Sequence, residues 1–256
     1  MKVFKKIGLL IPFFFTSSLF ACDLRQGDAF EPIPVDGRAI VFDLVPIEKE
    51  LGDASQTQEI GIDINFFKCS DGSRNLIGQL PYLADTGKVR SAFLYNFDGG
   101  DVTNLFVVHS VEIRSDTGIR YSGDYYSVNV YKVNGENFVR DDRLSAYFGS
   151  GGDILAENNK DLLYVFPYKS EALILAKISS SSFAKWSKGG LVNLIVSKIT
   201  PMHRAPVLAD VTRMYLVAGD KVSQDAVEAG WLSIIYKTSK GKIIRGWILC
   251  DNADGC

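Results

Sequence analysis

The strongest structural signal in this chain is PVLADVTRMYLVAGDKVSQDAVEAGWLSIIYKTSKGKIIRGWILC, at residues 206–250. Turn signals that contain glycine stand at residues 219–220 and 239–241, and apolar segments lie before and after each of them. Over residues 231–236, the alternation of side chains places odd-numbered residues on one face of a strand and even-numbered residues on the other. The pattern predicts short antiparallel strands joined by tight turns.

Three glycine-led motifs organise this stretch, and they are GDKV at 219–222, GWLSI at 230–234 and GWI at 246–248. With these motifs the stretch resembles a bacterial SH3-like domain of the kind appended to exported proteins. The resemblance covers about a fifth of the chain and implies a small β-barrel over residues 201–256. Such modules bind cell-wall peptide or mediate contacts, so the resemblance implies a binding role without chemistry.

Aromatic side chains are the candidate ligand-binding residues. Aromatic residues in a barrel this small also commonly form its core, so both roles stay open for the four in this stretch. Farther upstream, two tyrosines share one strand face with polar residues, which suits a protein or glycan contact but is also ordinary on a half-exposed sheet. The candidates are Tyr215, Trp231, Tyr236 and Trp247 in the predicted barrel, and Tyr125 and Tyr131 upstream.

Residues 22–200 predict a larger, antiparallel β-rich domain, because segments with period-two alternation recur and most are followed by turn residues. The region that begins at Ser170 predicts one or two short helices packed over a sheet and ending at Gly189. Two prolines in residues 200–206 suggest a domain boundary near Pro201. The predicted fold class is therefore mainly β with minor α. The clearest predicted strands are 39–45, 60–69, 89–97, 104–114, 125–133, 162–166 and 192–200.

The N-terminus predicts export. Lys2, Lys5 and Lys6 precede an apolar run over residues 7–20, and Ala21 is a small residue at the expected cut. Residues 1–21 therefore match a secretory signal peptide. The run is shorter than the roughly 20 apolar residues that cross a bilayer, and no second apolar span follows, so no integral membrane span is predicted.

The cysteines support an oxidising compartment. Four cysteines in an exported chain can form two disulfides, and the favoured pairs are Cys250 with Cys256 and Cys22 with Cys69. Residues preceding Cys22 also form an imperfect lipoprotein box, so a lipoprotein anchored through Cys22 is the alternative to a periplasmic or secreted protein. The chain contains no C-x-x-C motif, which argues against a zinc ribbon or a thioredoxin-type site.

Composition leaves little material for catalysis. The chain has 28 basic and 30 acidic residues, so nucleic acid is not an expected partner. Of its two histidines, His109 lies on an apolar strand face, which is more typical of a core residue than of a general base, and His203 is expected to be exposed in the proline-rich connector. Glycine-rich residues 149–153 lack the features of a nucleotide site, and the charged residues 140–143 predict a solvated turn. We predict no catalytic residue, metal or cofactor.

These observations predict an exported bacterial envelope protein that acts as a non-enzymatic binding or adaptor module. Its expected partner is peptidoglycan or an envelope protein. One alternative is a periplasmic immunity or inhibitor protein that neutralises a toxin or a wall-degrading enzyme. The other is a hydrolase that uses His109.

Overall fold

A computed structural model of the chain describes residues 29–47, 59–96, 103–113, 118–134, 137–158 and 160–256. Strands account for 54% and helices for 14% of the described residues, and all three sheets are antiparallel. This confirms the predicted mainly-β class. Within this part of the chain no helix is long and apolar enough to cross a membrane. The predicted signal peptide, residues 1–21, lies outside the described residues.

The first sheet has four strands in sequence order: β1 (Phe30–Val35), β2 (Arg38–Pro46), β3 (Ile60–Lys68) and β4 (Arg74–Gln79). Alternation in β2 and β3 directs aliphatic and aromatic side chains to one face, where Phe42 pairs with Ile64 and both are fully buried. This face of the sheet packs against the second sheet.

The second sheet forms the middle layer and has the order β10-β9-β7-β6-β5, with β8 paired to β7. Strand β6, which lies between β7 and β5, is buried on both faces. Leu105 and Val107 belong to the core shared with the first sheet, whereas Phe106 and Val108 belong to the core shared with the helices and the third sheet. The bounds are β5 (Lys88–Tyr95), β6 (Asn104–Glu112), β7 (Tyr121–Asn134), β8 (Asn137–Arg140), β9 (Ser150–Leu155) and β10 (Leu162–Tyr164).

Three short helices pack on this middle layer: α1 (Asp142–Phe148), α2 (Glu171–Ile178) and α3 (Ser181–Ser187). The last two correspond to the one or two short helices predicted after Ser170. The prediction of a solvated turn at residues 140–143 is wrong, because helix α1 begins there. The Asp141 carboxylate accepts a hydrogen bond from the Leu144 N–H at 3.0 Å and caps the helix. Phe148, at the end of α1, packs edge-on to Phe106 with ring centroids 5.7 Å apart.

The third sheet is a curled, seven-stranded antiparallel half-barrel with the order β13-β12-β16-β15-β14-β11-β17. One of its strands, β11, precedes the predicted domain boundary near Pro201 but pairs with β14 and β17, which follow it. The boundary stays a prediction. The bounds are β11 (Asn193–Val196), β12 (Thr200–His203), β13 (Val211–Leu216), β14 (Lys221–Glu228), β15 (Trp231–Lys237), β16 (Ile243–Leu249) and β17 (Ala253–Asp254).

Cys69, Cys250 and Cys256 form disulfide bonds. Cys250 and Cys256 are bonded, with Cα atoms 5.4 Å apart, which confirms the predicted pair. Cys69 is also disulfide-bonded. Its predicted partner, Cys22, lies outside the described residues.

Gly149 joins the second and third sheets at close range. Its backbone has φ +61° and ψ −152°, a combination that is essentially restricted to glycine. A Cβ at this position would lie 2.9 Å from Ala229 Cβ and 3.0 Å from Ala229 N, so a side chain would force the turn before β15 away from β9.

We therefore expect Gly149→Ala to lower the free energy of unfolding by about 3 kcal/mol, from backbone strain and the clash together. Gly37→Ala is the matched control, since Gly37 also has a positive φ, +71°, but no atom lies within 4 Å of its Cβ position. The control should cost about 1 kcal/mol. Urea unfolding of the two variants checks this, and equal losses would show that the Ala229 contact contributes nothing.

Candidate functional site

A groove of about 610 Å³ lies between the second and third sheets. Strands β7, β9 and β10 form one side of it. Trp231 and the connector at residues 206–209 form the other. The volume is typical of ligand-binding clefts, which are few per protein.

Two stacked rings line the buried part of the groove. Tyr164 and Trp231 have ring centroids 6.1 Å apart with planes 24° apart, and they are only 8% and 4% exposed. The Tyr164 hydroxyl donates a hydrogen bond to the carbonyl of Ala229, in the turn that precedes β15. This hydrogen bond fixes the position of the ring. Burial raises the pKa of this hydroxyl, which keeps it neutral and a donor. The rings therefore form a fixed apolar surface.

His203 holds the connector at residues 206–209 in place beside this surface. The sequence predicted that His203 is exposed, and that prediction is wrong. Its side chain is 5% exposed and meets Trp231 edge-on, with ring centroids 4.9 Å apart. The Nδ1 atom donates to the Val207 carbonyl at 3.1 Å, because a carbonyl can only accept. Burial is the main reason that the pKa of His203 is lowered. The histidine thus holds residues 206–209 against the third sheet.

Tyrosines of β7 line the opposite side of the groove. Tyr121 and Tyr125 are half-buried and pack edge-on, with ring centroids 5.8 Å apart. Gly152 lies opposite them in β9, where a Cβ would come within 2.9 Å of Tyr121 Cδ1 and of the Asp124 carbonyl. The glycine-rich residues 149–153 therefore allow close packing at this wall, which explains their composition.

The rim of the groove is aliphatic and carries balanced charge. Ile119, Leu163 and Val207 line it and are 46%, 52% and 49% exposed. Arg120 and Glu157 are the charged residues that line it among those described, and Arg120 Nη1 donates to the main-chain oxygen of Glu157 at 2.5 Å. An uncharged ligand with flat or apolar faces matches this surface.

The structure brings only two of the six predicted ligand residues together in this groove, Trp231 and Tyr125. Tyr131 is 2% exposed and belongs to the core shared with the first sheet, and it does not line the groove. Its ring packs on Gly78, where a Cβ would lie 2.9 Å from Tyr131 Cε1.

The other three predicted aromatics lie on the third sheet away from the groove. Trp247 pairs with Ser233 and therefore shares the sheet face of Trp231, whereas Tyr236 lies on the opposite face. The Tyr236 hydroxyl donates to Asp220 Oδ1 at 3.0 Å, and this hydrogen bond raises its pKa. Tyr215 is 65% exposed on the edge strand β13. The four aromatics of the half-barrel consequently do not form one groove.

Sequence reasoning missed Tyr121, Tyr164 and the connector residues of the groove. Tyr164 falls inside a predicted strand, but its position opposite Trp231 depends on a pairing across 67 residues of sequence. Local alternation contains no information about such a pairing.

His109 lies in the core, as its apolar strand face indicated. It is 1% exposed, and its Nε2 lies 2.9 Å from the Thr86 carbonyl oxygen. Burial lowers the pKa of His109, so the neutral ring is favoured. Ser110 lies on the other face of β6, where its hydroxyl donates to Asp124 Oδ2 at 2.8 Å. The two side chains therefore do not form a nucleophile–base pair.

Metal ligands are also sparse. In the part of the chain that the structure describes, no group of three or more histidine, cysteine or acidic side chains is arranged to hold a metal ion.

A second cavity of about 350 Å³ adjoins the groove, and Leu163 and Tyr164 line both. Lys177 and Lys198 line it as well. Lys177 Nζ donates to the main-chain oxygen of Cys256 and lies 5.9 Å from the centre of the Tyr147 ring. Burial lowers the pKa of Lys177 to about 8.

Comparisons with protein-family models, with curated proteins and with solved structures find no match for this chain.

The pKa of Lys177 predicts a pH dependence of stability. Between pH 8 and 10 the unfolded lysine still binds a proton that the folded one has released, so stability should rise with pH in this window. Lys177→Met should lack this rise. The exposed Lys240→Met is the control and should keep it. Urea unfolding at pH 7.5 and 9.5 measures the effect, and an unchanged rise in Lys177→Met would contradict the prediction.

Proposed function

We propose that this protein is an exported bacterial envelope protein that binds cell-wall glycopeptide in the aromatic groove and catalyses no reaction. One observation carries the proposal: Tyr125 and Trp231, 106 residues apart, line a single groove together with Tyr121 and Tyr164. Two segments of the chain thus supply aromatic rings to one concave surface, as a binding site requires.

The chemistry of the groove fits a glycan. Sugar rings present flat faces of C–H bonds, and the half-buried rings of Tyr121 and Tyr125 offer a matching flat, apolar surface over the buried floor of Tyr164 and Trp231. The exposed aliphatic rim at Ile119, Leu163 and Val207 extends that apolar surface. Balanced charge at Arg120 and Glu157 favours a ligand whose central part is uncharged.

The C-terminal half-barrel supports the same assignment. Its seven antiparallel strands are compatible with an SH3-like domain, and the resemblance of residues 206–250 to such domains implies that it binds cell-wall peptide or mediates contacts. Trp231 belongs to the GWLSI motif and is the first residue of β15, and it lines the groove. Identification of the half-barrel as SH3-like is part of the proposal.

The compartment is part of the proposal too. A disulfide such as Cys250–Cys256 persists in oxidising environments, which include the periplasm and the extracellular space. Together with the signal-like residues 1–21, this supports a periplasmic or secreted protein with access to the wall.

Co-sedimentation with purified peptidoglycan sacculi tests the proposal. Leu163→Ser should weaken binding about fivefold, because it removes about 1 kcal/mol of apolar contact from the rim. Tyr125→Ala should weaken it about tenfold, whereas Tyr125→Phe keeps the ring and should bind as the natural chain does.

Leu76→Ser is the matched control, since Leu76 is 64% exposed on β4 and lines neither the groove nor the adjoining cavity. It should leave binding unchanged. The proposal fails when the natural chain does not sediment with sacculi, and equally when Leu163→Ser and Leu76→Ser bind alike.

A further inference from the structure

A third cavity, of about 360 Å³, lies beside the aromatic groove on the second sheet. Strands β5, β6 and β7 supply the residues that define it, and we call it the polar pocket: Lys88, Arg90, Ser110, Tyr121 and Asp124. Tyr121 also lines the groove. A chain-like ligand that occupies the groove can therefore continue past the Tyr121 ring into the polar pocket.

Three side chains form a closed hydrogen-bonded network in the polar pocket. Arg90 Nε donates to the Ser110 hydroxyl at 2.8 Å, and this hydroxyl donates to Asp124 Oδ2 at 2.8 Å. Arg90 Nη2 donates to the same Asp124 oxygen and completes the network. Because Ser110 is only 1% exposed, it holds the guanidinium and the carboxylate side by side in fixed positions.

The network leaves one donor and one acceptor for a ligand. Within the described part of the chain, the hydrogen bonds of Arg90 and Asp124 go through Nε, Nη2 and Oδ2, so Arg90 Nη1 and Asp124 Oδ1 make none. The two side chains are 41% and 19% exposed. Desolvation raises the pKa of Asp124, but the hydrogen bonds from Arg90 and Ser110 lower the pKa by more, and the carboxylate therefore stays ionised and able to accept.

The charges of the polar pocket do not favour an ionic ligand. Lys88 and Arg90 line it together with three carboxylates, so there is no positive excess that would attract an anion. A cation would compete with Arg90 for Asp124, and the other two carboxylates, Asp85 and Glu112, have interaction partners of their own. The polar pocket thus fits an uncharged ligand that has hydrogen-bonding groups.

An N-acetylated sugar ring has such groups on neighbouring carbons. Its amide N–H donates, and its hydroxyl oxygens accept. The N–H can bind Asp124 Oδ1 while an adjacent hydroxyl oxygen accepts from Arg90 Nη1, and hydrogen bonds to ionised groups are the stronger ones. The half-buried Tyr121 ring beside them offers a flat surface to the apolar face of the same sugar.

We propose that the polar pocket is a second sugar subsite, so that the glycan strand of the wall, and not its peptide, is the part that the protein recognises. One sugar packs in the aromatic groove, the strand passes Tyr121, and a further sugar binds Asp124 and Arg90. This inference rests on the proposed function and names the portion of the wall that binds.

Calorimetry with a peptide-free wall tetrasaccharide tests the subsite. The natural chain should bind the tetrasaccharide, whereas it should not bind the free stem peptide. Arg90→Gln should weaken tetrasaccharide binding about tenfold, because a hydrogen bond from a charged donor is lost. Arg90→Lys should weaken it similarly, since the ammonium keeps the charge but lacks the planar fork that bonds Ser110, Asp124 and the ligand together.

Arg74→Gln is the matched control. Arg74 Nη1 forms an ion pair with Asp43 Oδ2 at 2.6 Å on the first sheet, its side chain is 53% exposed, and it lines neither the groove nor the polar pocket. Arg74→Gln should bind the tetrasaccharide as the natural chain does. Urea unfolding should show similar stability in Arg74→Gln and Arg90→Gln, which separates an effect on binding from an effect on folding.

Three results would overturn the inference. If Tyr125→Ala weakens tetrasaccharide binding but both Arg90 variants bind as the natural chain does, the subsite is wrong and the groove stands. If the stem peptide binds as tightly as the tetrasaccharide, the glycan assignment is wrong although wall binding stands. If neither fragment binds, the subsite is wrong, and co-sedimentation with sacculi then decides whether the proposed function fails with it.

Discussion

The burial of β6 on both faces is the constraint on which the rest of the structure depends. Every residue from Asn104 to Val111 is buried, so two separate cores must cover this strand. The first sheet covers one face and the helices with the third sheet cover the other. A strand buried on both faces contains a near-continuous apolar run, and LFVV at residues 105–108 is such a run.

The candidate site forms where the second and third sheets meet beyond this core. Gly149 allows Ala229 to approach within van der Waals distance, and Tyr164 both stacks on Trp231 and donates to Ala229. These short contacts bring the edge strand β10 next to the half-barrel but leave its outer residues exposed. The groove is therefore a product of the packing that joins the sheets, and its aromatic floor has a structural role as well.

Much of the fold was predictable from local pattern. Alternation and turn residues identified β2, β3 and β6 to within two residues at each end, and the region after Ser170, where one or two short helices were predicted, forms two. Helix α1 was missed because its charged first turn resembles a loop, and its apolar residues Tyr147 and Phe148 fall too close to its end to show periodicity. The exposure predicted for His203 was wrong because its burial depends on Trp231, which is distant in sequence.

The sequence by itself determined the strand class, the Cys250–Cys256 pair and the burial of His109, because each depends on neighbouring residues or on short spacing. It also identified Trp231 and Tyr125 as candidates without relating them. Only the tertiary structure decided that these two residues share a groove and that Lys177 and Lys198 adjoin it. The physical reason is that sheet-to-sheet packing joins residues more than a hundred positions apart, and side-chain alternation carries no record of such contacts.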